Sequence, residues 1–207
     1  MSPVTASASP PRIDVSELPT TAFGHRAPLW WGVAGLLAIE GTVFALCAAT
    51  YFYLRGSQPV WPPPGDRPLV GLATIQLAIL LASILPMHLM ERASVRRSLR
   101  GMRFWLIVCT LMGLVFLVLR GLEIAWLGFR WDSHAYGSIF WTTLGIHTIH
   151  GLTSTGENLL FIALLFIGPV EEKHLLDVQL NGVYWYFVVL AWVPMYVILY
   201  LDPGVIG

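Results

Sequence analysis

Charge is what this chain has least of. Asp, Glu, Lys and Arg together make up 12% of its 207 residues, about half the share found in soluble domains. The formal net charge is zero, so no basic excess points to nucleic acid. Cysteine is nearly absent: Cys47 and Cys109 are the only two, and both fall inside long apolar runs. A thiol in that setting serves as a small packing side chain rather than a disulfide or redox partner. Lysine is rarer still, with Lys173 alone beside eleven arginines. What remains is apolar: 56% of residues are hydrophobic and the mean hydropathy is +0.69. Few long segments have a polar face, which excludes an ordinary soluble domain.

The first 28 residues are rich in Ser, Thr and Pro and read as a disordered tail. They lack the basic stretch, short apolar region and small-residue cleavage site of a signal peptide. Five apolar spans follow within residues 29–201, at about Leu29–Leu54, Leu69–Met90, Met102–Leu122, Tyr136–Ile167 and Val183–Leu201. Roughly 20 apolar residues cross a hydrocarbon core about 30 Å thick. The chain therefore reads as an all-α membrane protein, a bundle of five transmembrane helices, with 202–207 as a short C-terminal tail. The fourth span exceeds the bilayer thickness and must tilt or protrude. Pro194 is placed to kink the fifth.

Arginine placement predicts orientation. The connection ERASVRRSLRGMR carries Arg92, Arg96, Arg97, Arg100 and Arg103. With the N-terminus cytoplasmic, that side holds these five, two in the tail and Lys173, against Arg55, Arg67, Arg120 and Arg130 opposite. The positive-inside rule then places the N-terminus in the cytoplasm and the C-terminus on the other side. Trp30, Trp31, Trp105, Trp126 and Trp131 lie near span ends, where aromatic belts form.

Inside the spans, ionisable residues stand out, because each costs several kcal/mol in hydrocarbon unless paired. Glu40 sits in the middle of the first. Thr143, His147, His150, Ser154 and Glu157 recur in the fourth at spacings of 4, 3, 4 and 3, which puts them on one helical stripe facing protein. Gly145, Gly151 and Gly156 on the same helix suggest close approach by neighbours. Glu40 lies 11 residues from one end of its span, and His147 lies 11 from the start of the fourth. Their heights match at roughly 16 Å, so a Glu40 contact with His147 or His150 is expected. Arg120 and Glu123, three residues apart, read as an interfacial ion pair at a span end.

Three chemistries fit the midplane stripe: a proton-handling or gating site, a buried polar pair that sets helix register, or a di-metal site. A di-metal site needs about four to six N or O ligands. Of the six histidines, His25 and His174 fall in tail or loop and His134 at a span end. His88, alone near an interface, does not supply a haem ligand pair. No metal site is expected.

In order along the chain, four segments resemble subunit III of the haem-copper terminal oxidases in its five-helix bacterial form. WWGVAGLLAIEGTVFALCAATYFYLR is similar to that family's helix with a mid-membrane glutamate, here Glu40. RGLEIAW resembles its G-x-E segment. YGSIFWTTLGIHTIHGL resembles Y-G-S-x-F-F-x-x-T-G-x-H-G-x-H, with the histidines at His147 and His150. VYWYFVVLAW resembles W-H-F-x-D-x-x-W. Departures are Tyr186 for the last motif's histidine, Val189 for its aspartate, Thr148 for the glycine between the histidines, and Glu157 where apolar residues are usual.

The resemblance implies a non-redox subunit of a bacterial inner-membrane respiratory oxidase that couples oxygen reduction to proton translocation, with cytochrome c as donor. It implies no catalytic residue and no cofactor in this chain. Haem and copper belong to subunits I and II, its expected partners, and membrane lipids, including a structural phospholipid, are expected in a cleft. The alternatives are a subunit of a quinol oxidase, an accessory subunit of nitric oxide reductase, a membrane di-metal enzyme, or an assembly protein outside turnover.

Overall fold

A backbone surrounded by hydrocarbon must satisfy its own hydrogen bonds, and a helix does so within one segment. The computed structural model describes residues 27–168 and 172–202. They form five helices and no strand: α1 (Pro28–Gly56), α2 (Val70–Val95), α3 (Leu99–Trp126), α4 (Ala135–Ile167) and α5 (Glu172–Tyr200). All five are long and apolar enough to span a membrane. Most of the expected tail, and everything after Asp202, lies outside the described residues.

Local chemistry sets the helix ends. Pro28 opens α1 at its first turn, where its missing N–H costs nothing. Ser98 caps α3 by accepting from the Gly101 N–H. The His134 side chain caps α4, its Nδ1 accepting from the Gly137 N–H at 2.9 Å, while its Nε2 meets Asp66 Oδ2 of the α1–α2 loop at 2.7 Å. In the α3–α4 loop, the Arg130 guanidinium hydrogen-bonds Asp132 and holds that carboxyl below its usual range.

Side-chain pairs from both ends show the helices running alternately up and down. Arg103 at the start of α3 donates to the Leu165 carbonyl at the end of α4, through Nε at 2.9 Å and Nη2 at 2.6 Å. Glu91 near the end of α2 lies against Gly182 in the first half of α5 and accepts from Tyr186 at its middle. At the opposite end, Arg55 of α1 pairs with Asp202 beyond α5. One end of the bundle therefore carries the arginine-rich connection.

The core runs between α2, α3, α4 and α5, built on Met87, Met90, Met102, Leu106, Phe116, Phe140 and Trp192, all nearly or wholly buried. α1 packs mainly against α4 and α5 and buries Phe44, Cys47 and Tyr51. Its other face exposes Ile39, Leu46, Phe52 and Tyr53, as suits a helix facing lipid or a partner. Cys47 and Cys109 are free and buried. Trp31 projects near one end, and Trp126 and Trp131 near the other.

Two expectations need correction. The fifth helix begins at Glu172 rather than Val183, because polar residues in EKHLLDVQLN mark the edge of the hydrocarbon, not the end of the helix. Close approach also holds at only one of the three α4 glycines. A Cβ on Gly151 would meet Phe116 Cε1 at 2.9 Å, whereas Gly145 and Gly156 face open space. The tighter crossing is at Gly113 of α3, where a Cβ would lie 2.7 Å from Thr155 Oγ1 and 2.9 Å from Trp185.

Candidate functional site

Glu40 lies 12 residues into α1, about 18 Å along its axis, and His150 lies midway along α4. The His150 Nε2 sits 3.0 Å from Glu40 Oε2, with the two side chains 10% and 27% exposed. The other ring nitrogen, Nδ1, is 2.7 Å from the Ile146 carbonyl. A carbonyl only accepts, so Nδ1 carries a proton and donates it. The Nε2–Oε2 contact then holds one proton, on the imidazole or on the carboxyl. In either position the pair is neutral overall, which makes it tolerable at this depth.

Phe44 packs on the His150 ring at 5.2 Å between centroids. The pair opens onto a groove of about 690 Å³ between α1, α4 and α5, whose apolar walls are leucine, isoleucine, valine and phenylalanine. The polar groups reaching it besides the pair are Thr153, Glu157, Asp177, Asn181 and Tyr184. Glu157 is half-buried and has no hydrogen-bond partner among the described residues.

His147 does not reach Glu40. Its Nε2 donates to the Val188 carbonyl of α5 at 3.1 Å, and the wholly buried ring stacks on Trp192 at 4.2 Å. Phe116 closes another side at 5.7 Å. Three residues on a helix rotate about 300°, which leaves the two rings about 60° apart. α1 reaches the His150 ring, while Phe116 of α3 and Trp192 of α5 enclose the His147 ring. Matching heights allowed either contact, and rotation selected one. Thr143 and Ser154 of the same stripe are buried, with the Thr143 hydroxyl bonded back to the Ile139 carbonyl.

The Arg120–Glu123 pair is present but enclosed, not at an exposed interface. The side chains are 1% and 0% exposed, with Nη1 and Oε2 2.9 Å apart. Gln76 of α2 donates to the same Glu123 oxygen at 2.9 Å, and the Tyr200 hydroxyl of α5 donates to Oε1. The guanidinium also lies over Trp192 at 4.4 Å and Phe116 at 5.2 Å. Three helices thus converge on one carboxylate, and cation–π contacts serve the guanidinium face. Trp192 lies between this network and His147.

Other polar contacts tie the helices together. Tyr186 donates to Glu91 Oε2 at 2.8 Å, and Asn181 donates to Asn158 at 2.7 Å. Trp185 Nε1 donates to Ser83 Oγ at 2.9 Å. A lone Gln76 or Ser83 in an apolar span was a readable signal. Tyr186, which departs from the oxidase motif, keeps a polar partner on α2, and Val189 is buried in the core. Thr148 bonds back to the Leu144 carbonyl at 2.6 Å.

Among the described residues, no three His, Cys, Asp or Glu side chains converge in a way that could hold a metal ion. His147 gives Nε2 to a carbonyl inside an aromatic cage, and His150 is taken up by Glu40 and Ile146.

Residues 29–203 match the family model described as cytochrome c oxidase subunit III. A cytochrome c oxidase subunit 3 from Thermostichus vulcanus is 29% identical over 181 residues, covering 82% of this chain and 85% of that one. A probable cytochrome c oxidase subunit 3 from Mycobacterium leprae is 30% identical over 176 residues, covering 82% of this chain and 85% of that one. With nearly the whole helical bundle matched, the chain belongs to the cytochrome c oxidase subunit III family.

Proposed function

We propose that the chain is the non-catalytic subunit III of a respiratory haem-copper oxidase, holding no redox centre and sustaining turnover of the subunits that do. The family match along 29–203 carries this reading. Subunits I and II are its partners, membrane phospholipid its companion, and the bacterial inner membrane its location. Cytochrome c is the donor.

The chemistry of the midplane supports a supporting role. Glu40 and His150 can pass one proton between them without a change of net charge, and they face a groove open to lipid. Such a pair fixes α1 against α4 and can exchange its proton when that contact loosens. His147 and the Arg120–Glu123 network are closed off and set the register of α3, α4 and α5. Glu157 and Asp177 extend the polar wall of the groove from the pair toward the arginine-rich end.

The N-terminus is cytoplasmic and the C-terminus lies on the other side. Arg120 is withdrawn into the bundle, so it leaves the count of outward basic residues. Arg55, Arg67 and Arg130 remain against the arginine-rich connection, and the positive-inside bias is stronger than the sequence count implied.

The test is affinity purification of the tagged chain from its own membranes in mild detergent. Haem-bearing and copper-bearing subunits should co-elute in stoichiometric amounts, and stripping the chain from them should leave all haem and copper behind. Haem, copper or iron near one per chain on the isolated subunit would overturn the reading.

A further inference from the structure

At the arginine-rich end, the first turn of α1 shares a second groove, of about 490 Å³, with the end of α2 and the start of α5. Arg92 and Arg96 line it from α2, Leu180 and Val183 from α5, and Trp30 from α1. Both arginines are exposed, and neither has a carboxylate at ion-pair distance among the described residues. The acid that lines the groove, Glu91, is directed onto α5: its Oε2 accepts from Tyr186, and its other oxygen lies against Gly182. Unopposed positive charge therefore stands beside an apolar wall.

The described residues begin at this groove. Ala27 is buried on Leu176 and Leu180, with Trp30 packed alongside, so residues 1–26 join the bundle at the groove wall. Upstream of Glu40 the sequence has two carboxylates, Asp14 and Glu17, both within Ile13–Leu18. That run has no positive charge and carries apolar Ile13, Val15 and Leu18. Residues three apart in a chain are separated by at most about 10 Å, and Arg92 and Arg96 by about 6 Å along α2, so the two pairs can meet. Nine residues lead from Leu18 to Ala27, a reach of up to about 30 Å, while Val183 lies only about 5 Å along α5 from Leu180. A segment too polar to fold by itself can order on such a surface. Pro19 follows the run, and its fixed φ lowers the entropy lost on docking.

We propose that Ile13–Leu18 docks in this groove of its own chain, with Asp14 and Glu17 on Arg92 and Arg96 and with Val15 and Leu18 against Leu180 and Val183. The N-terminal segment is then a strap that ties α1 to α2, two helices with little packing of their own. The strap needs only this chain, whichever subunits it assembles with.

The test is disulfide trapping in the full chain, reconstituted in bilayer nanodiscs and mildly oxidised, with Leu18→Cys and Val183→Cys combined. The native Cys47 and Cys109 are buried. A loose tether closes more readily the shorter it is, so an undocked segment would close T21C/V183C faster than L18C/V183C. Docking reverses that order. D14R/E17R should slow L18C/V183C closure about fivefold to tenfold, as two surface ion pairs predict, and adding R92E/R96E should restore it. Faster closure of T21C/V183C, an unreactive L18C/V183C pair, or no effect of D14R/E17R would overturn the proposal, as would failure of the charge swap to rescue. A disulfide joining two chains would assign the groove to a second copy and overturn docking within one chain.

Discussion

Glu123 is the residue with most at stake. It accepts from Arg120, Gln76 and Tyr200 at once, so its removal strands a buried guanidinium. Glu123→Ala should destabilise the chain by about 3–5 kcal/mol, seen as a lower thermal midpoint in detergent, while Glu123→Gln should lose less. An unchanged midpoint for the alanine variant would mean the network contributes nothing. At the midplane, Glu40→Ala and His150→Ala should weaken retention of the subunit by its complex, read on a blot of purified membranes. Glu40→Gln can still donate to His150 Nε2. It should be mild if packing is the role, and nearly as harmful as alanine if the proton matters. Glu40 and the α4 stripe were legible because ionisable groups in apolar runs have no bland explanation in hydrocarbon. The choice of His150 over His147 was not. It depends on where α1 sits around α4, which apolar helices with no polar face do not encode.

Among the elements, helix number and most boundaries followed from apolar length. Crossing points did not, because a glycine in a sequence does not say which neighbour approaches it. The structure separates the glycines sharply. Gly113→Ala should cost about 1–3 kcal/mol, since its Cβ would overlap Thr155 and Trp185. Gly145→Ala, facing open space, should fall within about 0.5 kcal/mol of the parent. Thermal or denaturant unfolding of the two variants side by side checks the ordering, and equal effects would contradict the packing of α3 on α4 and α5. The early start of α5 was hidden for a related reason: hydropathy reports the membrane boundary, and a helix does not have to stop there. The same holds for α2, which continues past the expected end at Met90 and so places Glu91 against Tyr186.

For the whole molecule, orientation and assembly are the claims to test. Reporter fusions at the N-terminus and at Gly207 should land on opposite sides of the membrane, with the N-terminal one cytoplasmic. Both on one side would contradict five spans. The partner subunits were legible only through motif resemblance, since a bundle without redox ligands carries no signature of the chemistry it supports. The most direct measurement of the central claim is continuous oxygen consumption by the purified oxidase with this chain and after its removal. Equal initial rates per haem, followed by earlier inactivation of the depleted enzyme and recovery on adding the chain back, are the predicted result. An immediate loss of the initial rate would assign the chain a catalytic part. Identical time courses throughout would deny it any role in sustaining turnover.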